Sequence, residues 1–93
     1  MQFEDLMERE MVLMQARDLI TGDRARSYGS VRESFGRTAA FWSAYLGVEI
    51  TPQMVGDMMG LLKYSRNANA SSFDNYVDIC GYASLSWECS DGD

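Results

Sequence analysis

The chain has 93 residues, 46% of them hydrophobic and 24% charged, with a formal net charge of −6 and no histidine. That length fits one domain whose core is modest unless copies assemble, and the composition argues against wholesale disorder. The acidic balance argues against a broad basic face for duplex nucleic acid, because counterion release needs clustered cations, so an anion site has to be local.

The first helical stretch carries Phe3, Leu6, Met7, Leu13, Met14, Leu19 and Ile20 at helical spacing, and Thr21-Gly22 predicts a left-handed stop. Its methionine-rich face reads as a core or subunit-contact stripe before it reads as an adaptable binding groove. A polar connector follows, Gly22 to Gly29, holding Arg24, Arg26 and Tyr28. Arg17, Arg24, Arg26, Arg32 and Arg37 crowd into 21 positions, and the planar Arg fork suits bidentate phosphate or carboxylate contacts. Ser30-Val31-Arg32-Glu33 reads as a capping box, which gives Glu33 a structural role in competition with a metal or ligand contact.

The second helix bears Val31, Phe35, Thr38, Ala39, Phe41, Trp42, Tyr45 and Leu46, a broad apolar face fit for the centre of a bundle, and Gly47 stops it. Trp42 and Tyr45 suit either base stacking or the core. Thr51-Pro52 opens the third helix with a cap and a proline at the first helical position. Met54, Val55, Met58, Leu61, Leu62 and Ser65 line one side, while Gly56 and Gly60, four apart, leave a bare strip for close helix approach. Lys63 and Arg66 fall in its last turn, where they complement the helix dipole.

Asn67-Ala68-Asn69-Ala70 leads into a fourth helix that Ser71 is expected to cap. There Phe73, Tyr76, Val77, Cys80, Ala83 and Trp87 are the candidate buried face, and Asp74, Asp78, Gly81 and Leu85 form a second stripe. Asp74 and Asp78, four apart, project together, and Lys63 and Arg66 are the nearest cations to answer them. Lys63, Arg66 and Asn67 followed by these two carboxylates could hold a phosphate and a divalent ion side by side, which points towards a nucleotide. Cys80 and Cys89, nine apart with no CxxC pair, argue against structural zinc. With no signal peptide or membrane-length apolar run, they fit a reducing cytoplasm. The expected fold is an all-α bundle of about four helices. Residues 1–87 form one helical domain, 88–93 an acidic flexible tail, and the second to fourth helices the ligand-bearing core.

Several blocks together carry a resemblance: Arg26-Ser27-Tyr28-Gly29, Glu33-Ser34-Phe35, Trp42 to Val48, Ile50-Thr51-Pro52, Leu61-Leu62-Lys63, and Val77-Asp78-Ile79 with Gly81-Tyr82-Ala83. Across residues 17 to 85 the chain resembles a family of small phage and prophage proteins of unassigned function. That family in turn resembles the MazG-type all-α nucleotide pyrophosphohydrolases, which implies an oligomeric bundle, Mg²⁺ and a nucleotide substrate. The MazG-type pattern pairs Glu-x-x-Glu with Glu-x-x-Asp. Here Gly36 stands three after Glu33 and Asn75 three before Asp78, so Glu33, Asp74 and Asp78 are what the resemblance leaves as metal ligands.

Three readings follow. The first is a phage protein, acting in the cytoplasm of the infected host, that sequesters a nucleotide-derived signal through Arg24, Arg26, Tyr28, Lys63, Arg66 and Asn67. The second is a Mg²⁺-dependent pyrophosphohydrolase, and the third a structural phage protein. In the first two the partner is a nucleotide-type small molecule and the chain a homo-oligomer, with no duplex nucleic acid and no membrane.

Overall fold

A computed structural model describes residues 7–22 and 29–91. The described residues hold four helices and no strand: α1 Glu8–Thr21, α2 Val31–Leu46, α3 Pro52–Arg66 and α4 Phe73–Glu88. This is the all-α, four-helix architecture expected from the spacing. Phe3 and Leu6 lie outside the described residues.

Local chemistry accounts for most helix ends. The Ser30 side chain accepts from the Glu33 amide at 3.2 Å, and Thr51 Oγ1 accepts from the Met54 amide at 3.2 Å ahead of Pro52. Gly47, at φ 74°, closes α2 in the left-handed conformation that glycine adopts without steric cost. Ser43 then pins the link to α3, its hydroxyl accepting from the Ile50 amide at 2.8 Å and lying 3.2 Å from the Ile50 carbonyl. Two expectations are corrected. Gly22 ends α1 with extended backbone, φ −88° and ψ −161°, rather than left-handed. The cap of α4 is Ser72, whose hydroxyl accepts from the Asn75 amide, not Ser71.

The centre of the packing is α4. It takes α3 along most of its length and α1 on another side, while α2 packs chiefly on α3. Bare glycines permit the α3–α4 contact: a Cβ at Gly56 would overlap Ser86 Oγ and lie 3.2 Å from Ser86 Cα, and one at Gly60 would lie 3.9 Å from Tyr82 Cβ. With Lys63 meeting Asp78 and Asn67 meeting Asn75, the paired numbers run in opposite directions, so α3 and α4 form an antiparallel hairpin. Tyr64 and Tyr76 stack edge to face near its closed end, centroids 6.3 Å apart. The expectation that a bare glycine strip serves close helix approach therefore holds.

The same contact decides which stripe of α3 is covered. Val55, Gly56 and Gly60 are buried, while Met54, Met58, Leu61 and Leu62 are exposed. On α4, Val77, Gly81 and Ser86 are buried and Phe73, Tyr76 and Trp87 exposed. On α2, Ala39 is buried, but Phe41, Tyr45 and Leu46 are exposed, so this helix lies at the edge of the bundle rather than its centre. On α3 and α4 the small residues Gly56, Gly60 and Ser86 permit a close approach, and that approach sets which stripe faces inward. The buried cysteine is Cys89, with Cys80 only half-buried. The radius of gyration, 14.9 Å, exceeds the roughly 12 Å of a compact chain of this length.

Candidate functional site

Where the C-terminal half of α3 meets the middle of α4, Lys63 and Asp78 form an ion pair, Nζ to Oδ2, at 3.1 Å. Lys63 stands on the buried stripe of its helix, one turn past Gly60, so its side chain is 15% exposed, and that of Asp78 is 31% exposed. A part-buried carboxylate gains from a nearby cation, and of Lys63 and Arg66, the two the sequence offered, Lys63 is the one that answers it.

This pair lies in the wall of a cleft of about 510 Å³. Leu19 and Ile20 of α1 close one side, and Gly29, Ser30, Ser34 and Phe35 bring in the beginning of α2. Asp78, Gly81, Tyr82 and Leu85 form the stripe contributed by α4. That stripe follows the second face read from the sequence, and Gly81 allows Ile20 Cγ2 to come within 3.4 Å of where its Cβ would be. The ligand-bearing core was expected from the last three helices alone, yet α1 forms part of this wall. Chemically the cleft offers an apolar surface, hydroxyls, the positive end of the α2 dipole and the Lys63 ammonium, which is shared with Asp78, while Glu88 adds a second carboxylate to the lining.

The other predicted residues divide. Arg24, Arg26 and Tyr28 lie outside the described residues. Arg66 is exposed and absent from the cleft lining. Asn67 ties the hairpin, its Oδ1 accepting from Asn75 Nδ2 at 2.9 Å, and likewise does not line the cleft. Glu33 and Asp74 are exposed in the first turns of α2 and α4. Among the described residues, no group of three or more His, Cys, Asp or Glu side chains could hold a metal ion. Within one chain, then, Glu33, Asp74 and Asp78 do not come together as one group of three. The sequence reading missed Leu19, Ile20, Ser30, Ser34 and Tyr82 as cleft residues. Ser30 and Ser34, one turn apart at the start of a helix, were the available signal.

Beside the cleft, burial pushes the Cys89 thiol above its ordinary value of 9.0. The Arg32 guanidinium works in the opposite direction, and the Glu88 carboxylate adds to the rise. No described helix is long and apolar enough to cross a membrane.

A four-helix chain whose cleft is floored by an α3–α4 hairpin and a Lys–Asp pair defines a small all-α domain with room for one ligand. The chain belongs to the family described as Domain of unknown function (DUF6378), whose profile matches residues 11–90. It is 45% identical over 76 residues to the Gene 55 protein of Mycobacterium phage L5, covering 80% of this chain and 49% of that protein. To the Gene 55 protein of Mycobacterium phage D29 it is 37% identical over 75 residues, covering 80% and 50%. The chain thus spans about half the length of the curated relatives it matches, and the phage character read from the sequence agrees with both. No solved structure matches it.

Proposed function

We propose that this chain is a phage nucleotide-binding protein that sequesters a nucleotide-derived small molecule, such as a host immune signal, in the bacterial cytoplasm. The observation that carries the reading is the cleft. Its volume, about 510 Å³, falls within the roughly 300–1,000 Å³ of small-molecule sites. Leu19, Ile20, Phe35 and Tyr82 provide an apolar seat for a base, while Ser30, Ser34 and the start of α2 answer a phosphate together with Lys63, which a phosphate would share with Asp78 and which Glu88 opposes. Arg24, Arg26 and Tyr28 precede Gly29 directly in the chain and are proposed as further contacts.

Sequestration is preferred over MazG-like hydrolysis because the carboxylates that would share a metal do not converge within one chain, and capture requires no chemistry. The test is incubation with nucleoside triphosphates, cyclic dinucleotides and cyclic ADP-ribose isomers in the presence of Mg²⁺, then heat denaturation and chromatography. One nucleotide depleted from solution and released intact is the expected result. Conversion to a monophosphate would replace this reading with the hydrolase, and neither depletion nor conversion would overturn both.

A further inference from the structure

The cleft continues past its own rim. Ile20, Leu85 and Glu88, which line it, also line a second recess of about 500 Å³. Thr21 at the end of α1, Arg32 in the first turn of α2, and Ser84, Trp87 and Ser90 around the end of α4 complete that recess. None of these five lines the cleft.

The recess repeats what the cleft offers, an aromatic ring and a cation. Trp87, expected in the core, is 62% exposed there, and Arg32 is exposed in the same lining. A base stacks on an aromatic face whatever its identity, and a guanidinium grips phosphate with paired N–H groups. The hydroxyls have a fixed sense. Thr21 donates to the Arg17 carbonyl at 2.7 Å, Ser84 to the Cys80 carbonyl at 3.1 Å and Ser90 to the Trp87 carbonyl at 2.8 Å. Their oxygens are left as acceptors for the amino groups of a base or the hydroxyls of a sugar, and Arg32 is the group that answers an anion. Glu88, on the shared ridge, is acceptor-only as well and suits the sugar hydroxyls between two such units.

We infer that the cleft and this recess together take a dinucleotide, linear or cyclic, with one base and one phosphate on each side of the ridge of Ile20, Leu85 and Glu88. The inference rests on the nucleotide reading of the cleft and adds to it the size of the ligand. Tyr82 and Trp87 are about 140° apart around α4 at 3.6 residues per turn, with that ridge between them, so the two bases splay apart rather than stack on each other. The described lining holds one cation for each unit, Lys63 and Arg32, and the net charge of −6 repels a longer polyanion.

Isothermal titration of the full chain tests this by comparing mononucleotides with the matching linear dinucleotides carrying a terminal phosphate and with their cyclic counterparts. The better dinucleotide is expected to bind at least about tenfold tighter than its mononucleotide, within the roughly five- to hundredfold that one stacked base contributes. Trp87→Ala and Arg32→Ala are each expected to remove most of that advantage and leave mononucleotide affinity unchanged, with far-UV circular dichroism as in the wild type. A mononucleotide bound as tightly as any dinucleotide would overturn the inference and leave sequestration standing, as would a dinucleotide advantage indifferent to both variants. Affinity that keeps rising to a tetranucleotide would replace the dinucleotide with a single strand. Binding of neither size would overturn the nucleotide reading and this inference with it.

Discussion

Gly56 on α3 lies against Ser86 on α4 so closely that a Cβ at position 56 would overlap Ser86 Oγ and stand 3.2 Å from both Ser86 Cα and Phe35 Cε2. The antiparallel register set there carries along the hairpin through Gly60 and Tyr82 to Lys63 and Asp78, and so to the wall of the cleft. A backbone contact about two turns away thus positions the ion pair.

Gly56→Ala is therefore expected to destabilise the fold by about 1–3 kcal/mol through overpacking, against the ~1 kcal/mol that alanine otherwise gains in a helix. Gly60→Ala, meeting Tyr82 only at van der Waals distance, is expected to be neutral or mildly stabilising. Urea unfolding of the two variants separates them, and an equal response would contradict the assigned register.

Ser86 is 4% exposed, and its hydroxyl has no hydrogen-bond partner among the described residues. Removing an unsatisfied buried hydroxyl while keeping the Cβ should be neutral or stabilising by up to ~1 kcal/mol. In the Ser86→Ala background the cost of Gly56→Ala should shrink, because the atom it overlaps is gone. A thermal-denaturation double-mutant cycle measures that coupling; strict additivity would count against the contact.

Lys63 and Asp78 serve fold and ligand differently. Lys63→Met leaves a part-buried carboxylate unpaired and is expected to cost about 1–2 kcal/mol of stability. In the nucleotide-depletion assay, Lys63→Ala is expected to weaken capture by about 1–3 kcal/mol, the worth of a charged hydrogen bond, whereas Asp78→Asn should leave it largely intact. Turnover in the wild type, abolished by Asp78→Asn, would favour hydrolysis instead.

Burial raises the Cys89 thiol, with Arg32 opposing and Glu88 assisting, so the folded chain holds this proton at a pH where the unfolded chain releases it. Its contribution is then complete below the unfolded value of 9.0 and falls as pH rises past that point towards the higher folded value. Stability measured from pH 7 to pH 10 should decline less steeply in Cys89→Ala than in the wild type. An identical slope would mean that the thiol is not held protonated.

The sequence by itself determined the four helices and most of their ends. Thr51-Pro52, Ser30 and Gly47 act within a few residues of themselves, and local hydrogen bonding and backbone preference suffice to read them. It also offered Lys63 and Arg66, from the end of one helix, as the nearest cations to Asp74 and Asp78 on the next, and the structure pairs Lys63 with Asp78. What only the tertiary structure decided is which stripe of each helix faces inward. Counting large apolar residues favoured Phe41 and Tyr45 on α2 and Phe73, Tyr76 and Trp87 on α4, yet these are exposed and the closest packing runs through Gly56, Gly60 and Ser86. Small residues let two backbones approach: the Gly56–Gly60 strip was legible on α3, but nothing in the α4 pattern marked Ser86 as the residue it would meet. The cleft follows the same logic: Leu19 and Ile20, Ser34, and Lys63 come from three separate helices, and they meet because α1 and α3 both pack on α4 while α2 packs on α3.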